Sequence, residues 1–223
     1  WFAFGFTTLP LALRGNLESM DINKKNENGY DLTAVLFTPD KESPETVESL
    51  VDFSEKVDAT WQHSPDGKKH EVTLLNVSAG MKGERILRLS VSSNKLGVEK
   101  ADVVTVNIPD QNDFSVYDVV YVSEPECYVE VAFTKLLDSA QDMRGLAFIA
   151  GNTSETVNVD GNKLRLYPDA DLREKGAMNI HLNQGIRSKS GLNLKEAVVR
   201  QVVANEQKPN VRFIGKGVII PQS

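Results

Sequence analysis

The sequence predicts an all-β protein made of two tandem antiparallel β-sandwich domains. Three observations lead there. Apolar and β-branched residues come in short runs, each bounded by Pro, Gly, Asp or Asn. Several of those runs alternate with period two, which suits a strand with one buried face. The runs also fall into two groups on either side of a polar, turn-prone stretch, Pro109-Asp-Gln-Asn-Asp113. Two antiparallel sheets packed face to face would bury the apolar face of every strand in a group.

In the first group, the opening run Trp1–Leu9 would place Phe2, Phe4 and Phe6 on one face of a strand. Leu32–Phe37 and Glu71–Val77 follow as strands. Arg85–Val91 alternates, with Leu87, Leu89 and Val91 on one face and Ile86 apart, and Val103–Ile108 stops at Pro109. Between Pro39 and Pro65 the chain is charged. Its one apolar cluster, Val47, Leu50, Val51 and Phe53, fits either one or two helical turns or a strand entered from a loop. Ser64-Pro-Asp-Gly67 is a turn, with Pro presetting φ and Gly free to take a positive one.

The second group opens with Val116–Val122, nearly continuous in apolar character. Cys127–Phe133 alternates, with Cys127, Val129, Val131 and Phe133 opposite Tyr128, Glu130 and Ala132. Leu146–Ile149 is a short strand. Val157–Val159 and Lys163–Tyr167 form a hairpin around Asp160-Gly161-Asn162, a pattern suited to positive φ. Met178–Leu182 is the next strand. Leu194–Ala204 is the last; its paired valines favour a strand over a helix.

The expected division is 1–109 as the first sandwich, 110–205 as the second, and 206–223 as an extended strand or linker into a following domain. Each sandwich would hold about seven strands. A faint echo links Val131–Asp138 with Val51–Asp58, as expected of a tandem repeat. The apolar first residue and the apolar run Val211–Ile220 suggest a fragment of a longer protein.

Composition narrows the function classes. Of 223 residues, 40% are hydrophobic and 25% charged, which is globular composition. The 25 basic residues are outnumbered by 31 acidic ones, giving a formal net charge of -6 and a poor phosphate binder, so nucleic acid is not expected as a partner. No apolar stretch reaches the ~18 residues of a spanning helix, so no membrane span is expected. One cysteine excludes an internal disulfide framework and a cysteine-rich metal site, and three histidines leave little room for a histidine metal cluster.

No constellation carries a compelling chemistry. Asp138, Asp142, Glu155 and Asp160 lie around turn signals, as solvated carboxylates do, though paired carboxylates in a cleft could do acid–base work. Asp169-Ala-Asp171 is the nearest approach to a calcium loop and lacks its glycine and spacing. His63, His70 and His181 are scattered and form no zinc signature. Cys127 reads as a small buried thiol rather than a nucleophile. Gly215-Lys-Gly217 is half a phosphate loop without its ending, and Asn76-Val-Ser78 and Asn152-Thr-Ser154 match glycosylation acceptors. Trp61, Tyr117, Tyr121 and Tyr128 could stack on sugars, although core packing is their commoner use. No catalytic, cofactor-binding or metal residue is assigned, and no cofactor is expected.

Near the C-terminus, Pro209-Asn-Val-Arg-Phe-Ile-Gly-Lys-Gly-Val-Ile-Ile-Pro221 resembles a junction in bacterial alpha-2-macroglobulin-like proteins, in particular large envelope lipoproteins of Bacteroidetes. Val129–Leu146 and Leu182–Leu192 look like the N-terminal domain of that family. The resemblance covers about 117 to 221 and reaches the first block only in general character. It implies macroglobulin-like, Ig-like sandwiches that precede a bait region and, where present, a thioester domain. The thioester pattern Cys-x-Glu-Gln is absent, since Cys127 is followed by Tyr-Val-Glu130 and no Gln.

The expected function is therefore a non-catalytic structural or interaction fragment of a bacterial alpha-2-macroglobulin-like protease inhibitor. Its expected partners are the other domains of the full-length protein and a target protease. By the same resemblance it would sit in the periplasm or cell envelope, held by a lipid anchor upstream of Trp1. The alternative is a carbohydrate-binding or adhesion β-sandwich module of a cell-envelope protein, and a small hydrolase ranks third.

Overall fold

The computed structural model describes residues 13–91, 101–153 and 156–204. The strand expected over Trp1–Leu9, Glu155, Gly215-Lys-Gly217 and the segment 206–223 lie outside them. The described chain runs β1 (Arg14–Asn23), β2 (Asn26–Phe37), α1 (Pro44–Leu50), β3 (Val51–Phe53), β4 (Asp58–His63), β5 (Lys69–Ser78), β6 (Arg85–Val91) and β7 (Ala101–Ile108). It continues with β8 (Val116–Val122), β9 (Tyr128–Phe133), β10 (Ala147–Ile149), β11 (Val157–Asp160), β12 (Lys163–Leu166), α2 (Ala170–Lys175), β13 (Ala177–Leu182) and β14 (Val198–Val203). The architecture is all-β, and every ladder between named strands is antiparallel.

Sheet order repeats along the chain. The first half forms β1-β2-β5-β4 and β3-β6-β7. The second forms β8-β9-β12-β11 and β10-β13-β14. Adding seven to each strand number of the first half yields the second. The hydrogen bonds repeat as well. The Thr38 amide donates to the Lys68 carbonyl at 3.0 Å, as the Phe133 amide does to Asn162 at 2.9 Å. Glu42 donates to Gly67 as Leu137 does to Gly161, and Ser54 to Arg88 as Ala150 to Asn179, each at 2.9 Å. These matches make Leu36 equivalent to Val131, so the echo between Val51–Asp58 and Val131–Asp138 is corrected. Val51 opens β3 and Val131 lies in β9, strands at different places in the repeat.

Each half closes over its own core. Leu17, Met20, Leu32, Val72, Leu74, Leu87, Leu89 and Val106 pack in the first. Val129, Val131, Phe133, Leu164, Leu166, Met178, Ile180 and Val202 pack in the second. Burial of these side chains away from water is the dominant favourable term in such a fold. Phe114 and Phe133 stack at 5.5 Å inside the second core.

The cluster between Pro39 and Pro65 uses both of its expected options. Ser43 caps α1 by accepting from the Thr46 amide, Pro44 occupies the first turn, and Val47 and Leu50 face inward. The chain then enters β3 at Val51. Asp169 caps α2 from the Leu172 amide, and Gly176 ends that helix at φ +73°.

The halves are joined by side chains that reach across. The Tyr30 hydroxyl donates to the Thr134 carbonyl at 3.0 Å, and the Tyr117 hydroxyl donates to the Met20 carbonyl. Lys135 Nζ donates to Asn28 Oδ1 at 3.0 Å, and Lys189 meets Glu27 at 2.6 Å. Lys163 lies 3.5 Å from Asp21. Burial pushes the Tyr30 phenol upward, aided by Asp113 and Asp110. Among the described residues no helix is long and apolar enough to cross a membrane.

Candidate functional site

The sheet β10-β13-β14 offers an apolar row on its outer face. Phe148 pairs with His181, and His181 pairs with Val199. Their alternate neighbours Ile149, Ile180 and Val202 turn inward to the second core, so the row is forced outward by strand geometry. Phe148 stacks flat on His181, 5.0 Å between centroids and 2° between planes. Phe148 stays 44% exposed and Val199 57% exposed. Val203 adds further exposed apolar surface on the same strand.

The repeat supplies an internal comparison. The equivalent row of the first half is Asp52, Ser90 and Asp102. There Ser90 Oγ donates to Asp102 at 2.7 Å, and Arg88 pairs with Asp102 at 3.3 Å. One sheet thus carries a hydrogen-bonded polar row, and its copy carries an aromatic and aliphatic one. A contiguous exposed apolar patch of this kind marks an interaction surface more often than chance exposure does.

The histidines divide. His181 belongs to the row just described. His63 and His70 face each other across β4 and β5, with Nδ1 atoms 2.8 Å apart. His63 Nε2 lies 3.1 Å from Glu48 Oε1, and Trp61 stacks on its ring at 5.8 Å. His70 is fully buried, and desolvation holds it below the ordinary imidazole range, reinforced by the charge of His63. The sequence contained the signal for this pairing, because a hairpin closed at Asp66-Gly67 sets position 63 opposite position 70.

The carboxylates do not converge. Asp142 pairs with Arg144 at 2.6 Å, Asp138 with Arg187 at 3.6 Å, and Asp160 with Arg165 at 3.5 Å. Asp169, in the stretch nearest to a calcium loop, caps α2 and also accepts from Thr153. Among the described residues no three His, Cys, Asp or Glu side chains are placed to hold a metal. Cys127 is half-buried rather than buried, because it lies just before β9, and its thiol donates to the Ser123 carbonyl at 3.5 Å. Asn76 takes φ +51° and accepts from Asn26, while Asn152 donates to the Tyr167 carbonyl.

The four aromatics that could stack on sugars are not brought together on one face. Trp61 packs on the first core and Tyr117 spans the two halves. Tyr121 packs against the second core, whereas Tyr128 sits with Tyr167 at 5.9 Å under the Arg165 guanidinium. Between the halves lies a cleft of about 770 Å³, to which Met20, Asn107, Tyr117, Thr134, Lys195 and Arg200 contribute. Asp113 and Lys195 meet at its edge at 3.5 Å.

No family model matches the chain, and no curated protein matches it. Among solved structures, mouse clustered protocadherin PcdhgC3 EC1-3 is similar at 11% identity, covering 86% of this chain and 68% of that one, with a TM-score of 0.30. The extracellular cadherin domains 1-4 of protocadherin gamma B7 are similar at 10% identity, covering 86% and 67%, with a TM-score of 0.19. No family model or curated protein supports the expected bacterial alpha-2-macroglobulin-like identity, so the macroglobulin, protease-inhibitor, lipoprotein and periplasm terms are corrected to a β-sandwich alone. The residues behind that resemblance have local explanations. Val129, Val131 and Phe133 fill a core, and Ser188 accepts from the Leu192 amide to close a turn. What stands is a β-sandwich architecture whose second half carries an exposed apolar row absent from its first.

Proposed function

We propose that the chain is a non-catalytic adhesion module of two sandwich domains, 1–109 and 110–205, that binds a second copy of itself through the outer face of β10-β13-β14. The observation that supports this is the row Phe148–His181–Val199, set where the repeat's other copy has Asp52, Ser90 and Asp102. A second copy suits the row because like apolar rows can meet about a two-fold axis, burying each against the other. Asn179 and Gln201, the next outward pair along β13 and β14, add hydrogen-bonding groups and no like charges.

Beads coated with the chain test this. Coated beads should clump with one another, and the substitution Val199→Asp should disperse them. Val199 is exposed, so Val199→Asp should leave folding within about 0.5 kcal/mol of wild type. Wild-type beads that stay dispersed at every coating density would overturn the reading.

A further inference from the structure

The repeat exposes a second departure, at the far end of the first core. Where the second half has Phe133, Val159 and Leu164, the first half has Thr38, His63 and His70. Leu164 and Phe133 are fully buried core residues. Their counterparts Thr38 and His70 are buried too, so an apolar contact has become a polar, titratable one in a place that excludes water.

Proton placement around the pair is constrained. The Thr38 hydroxyl donates to the Asp40 carbonyl at 2.7 Å. His70 Nε2 lies 3.4 Å from that hydroxyl, and its Nδ1 lies 2.8 Å from His63 Nδ1. The 2.8 Å Nδ1–Nδ1 contact requires one ring to donate and the other to accept, while His63 Nε2 faces the Glu48 carboxylate. With both rings doubly protonated, two N–H groups and two positive charges would oppose each other across that contact. Among the described residues, the further charged groups acting on the pair are Glu42 just before Ser43, Glu45 in the first turn of α1, and Asp66 in the turn before β5.

Glu48 lies on α1, and α1 packs on the core through Val47 and Leu50. The segment 38–43 leads into it, anchored by Thr38 beside His70 at 3.4 Å. We infer that His63 and His70 form a proton-operated latch that holds α1 and the segment 38–43 on the first core, and that protonation of His70 releases them. The sign follows from burial. The folded-state pKa of His70 lies below its unfolded value of about 6.5. The unfolded or released form therefore takes up the proton first, and the latch weakens as pH falls below that value.

Backbone amide exchange on the full chain tests this, corrected for intrinsic rates, between about pH 8 and about pH 5. Protection in α1 should drop by up to about tenfold per pH unit once His70 titrates, while β13 keeps its protection. His70→Leu, which copies Leu164, should give an α1 profile flat in pH. Wild-type α1 protection that does not change with pH, or that falls equally in β13, would overturn the inference, and neither result depends on the variant folding.

Discussion

The Tyr30 hydroxyl reaches the main-chain carbonyl of Thr134, 104 positions further along the chain, and donates to it at 3.0 Å. Tyr30 is fully buried and belongs to the first core, whereas Thr134 follows directly on β9 of the second half. One buried hydrogen bond thus couples the two cores.

Tyr30→Phe keeps the ring and leaves the Thr134 carbonyl without this donor. It should cost about 1–2 kcal/mol in urea unfolding with an unchanged slope. The phenol pKa is raised above its unfolded value of about 10, so its contribution is complete below that pH and lost as pH rises through the folded value. Unfolding curves in the alkaline range should therefore be flatter for Tyr30→Phe than for wild type.

Gly15→Ala should destabilise the first half. A Cβ at Gly15 would lie 2.5 Å from Leu36 Cδ2 and 2.8 Å from Val104 Cγ2, where β1 passes close to β7. Both neighbours lie in the packed strands β2 and β7, so the cost should be about 1–3 kcal/mol. Thermal unfolding followed by circular dichroism would read it. No change in midpoint would mean that the two strands separate more easily than their packing implies.

Asp169 predicts an acid-side effect. Its carboxylate accepts from the Thr153 amide, the Leu172 amide and the Thr153 hydroxyl, and these bonds hold it below the ordinary carboxylate range. A depressed folded pKa contributes stability above the unfolded value of about 3.9 and loses it as pH falls. Asp169→Asn should therefore weaken α2 at neutral pH and narrow its gap from wild type in acid, as seen in urea titrations across that range.

The domain limits proposed above predict that residues 110–205 fold without the first half. The second core is complete in itself, from Phe114 to Val202. Separated from Tyr30 and Asn28, the piece should melt lower than the same region in the whole chain, by about 4–8 °C for each kcal/mol of lost contact. A piece lacking a cooperative melt or a dispersed proton spectrum would refute the limits.

Strands whose alternation is undisturbed were legible from residues alone. Leu87, Leu89 and Val91 are buried on one face of β6 with Ile86 exposed, and Val129, Val131 and Phe133 are buried on one face of β9. The strand β1 escaped that test for a physical reason. A bulge between Leu17 and Ser19 breaks its period, so the buried residues Leu17 and Met20 stand three apart, a helix-like interval. The strand β4 lies at a sheet edge with only half-buried inward residues, and its pattern is correspondingly weak. The helix signals were present as Ser43-Pro44 and as Asp169 with Gly176. The apolar row needed three strand registers at once, and no single segment carries that information.

The hydroxyls of Tyr30 and Tyr117 cross in opposite directions, each ending on a carbonyl of the other half. Because both acceptors belong to the backbone, sequence drift at positions 20 and 134 leaves the crossing intact. Such a joint behaves as a braced elbow rather than a swivel: a tug at one end turns both sandwiches together, and the angle between them is inherited with the two tyrosines.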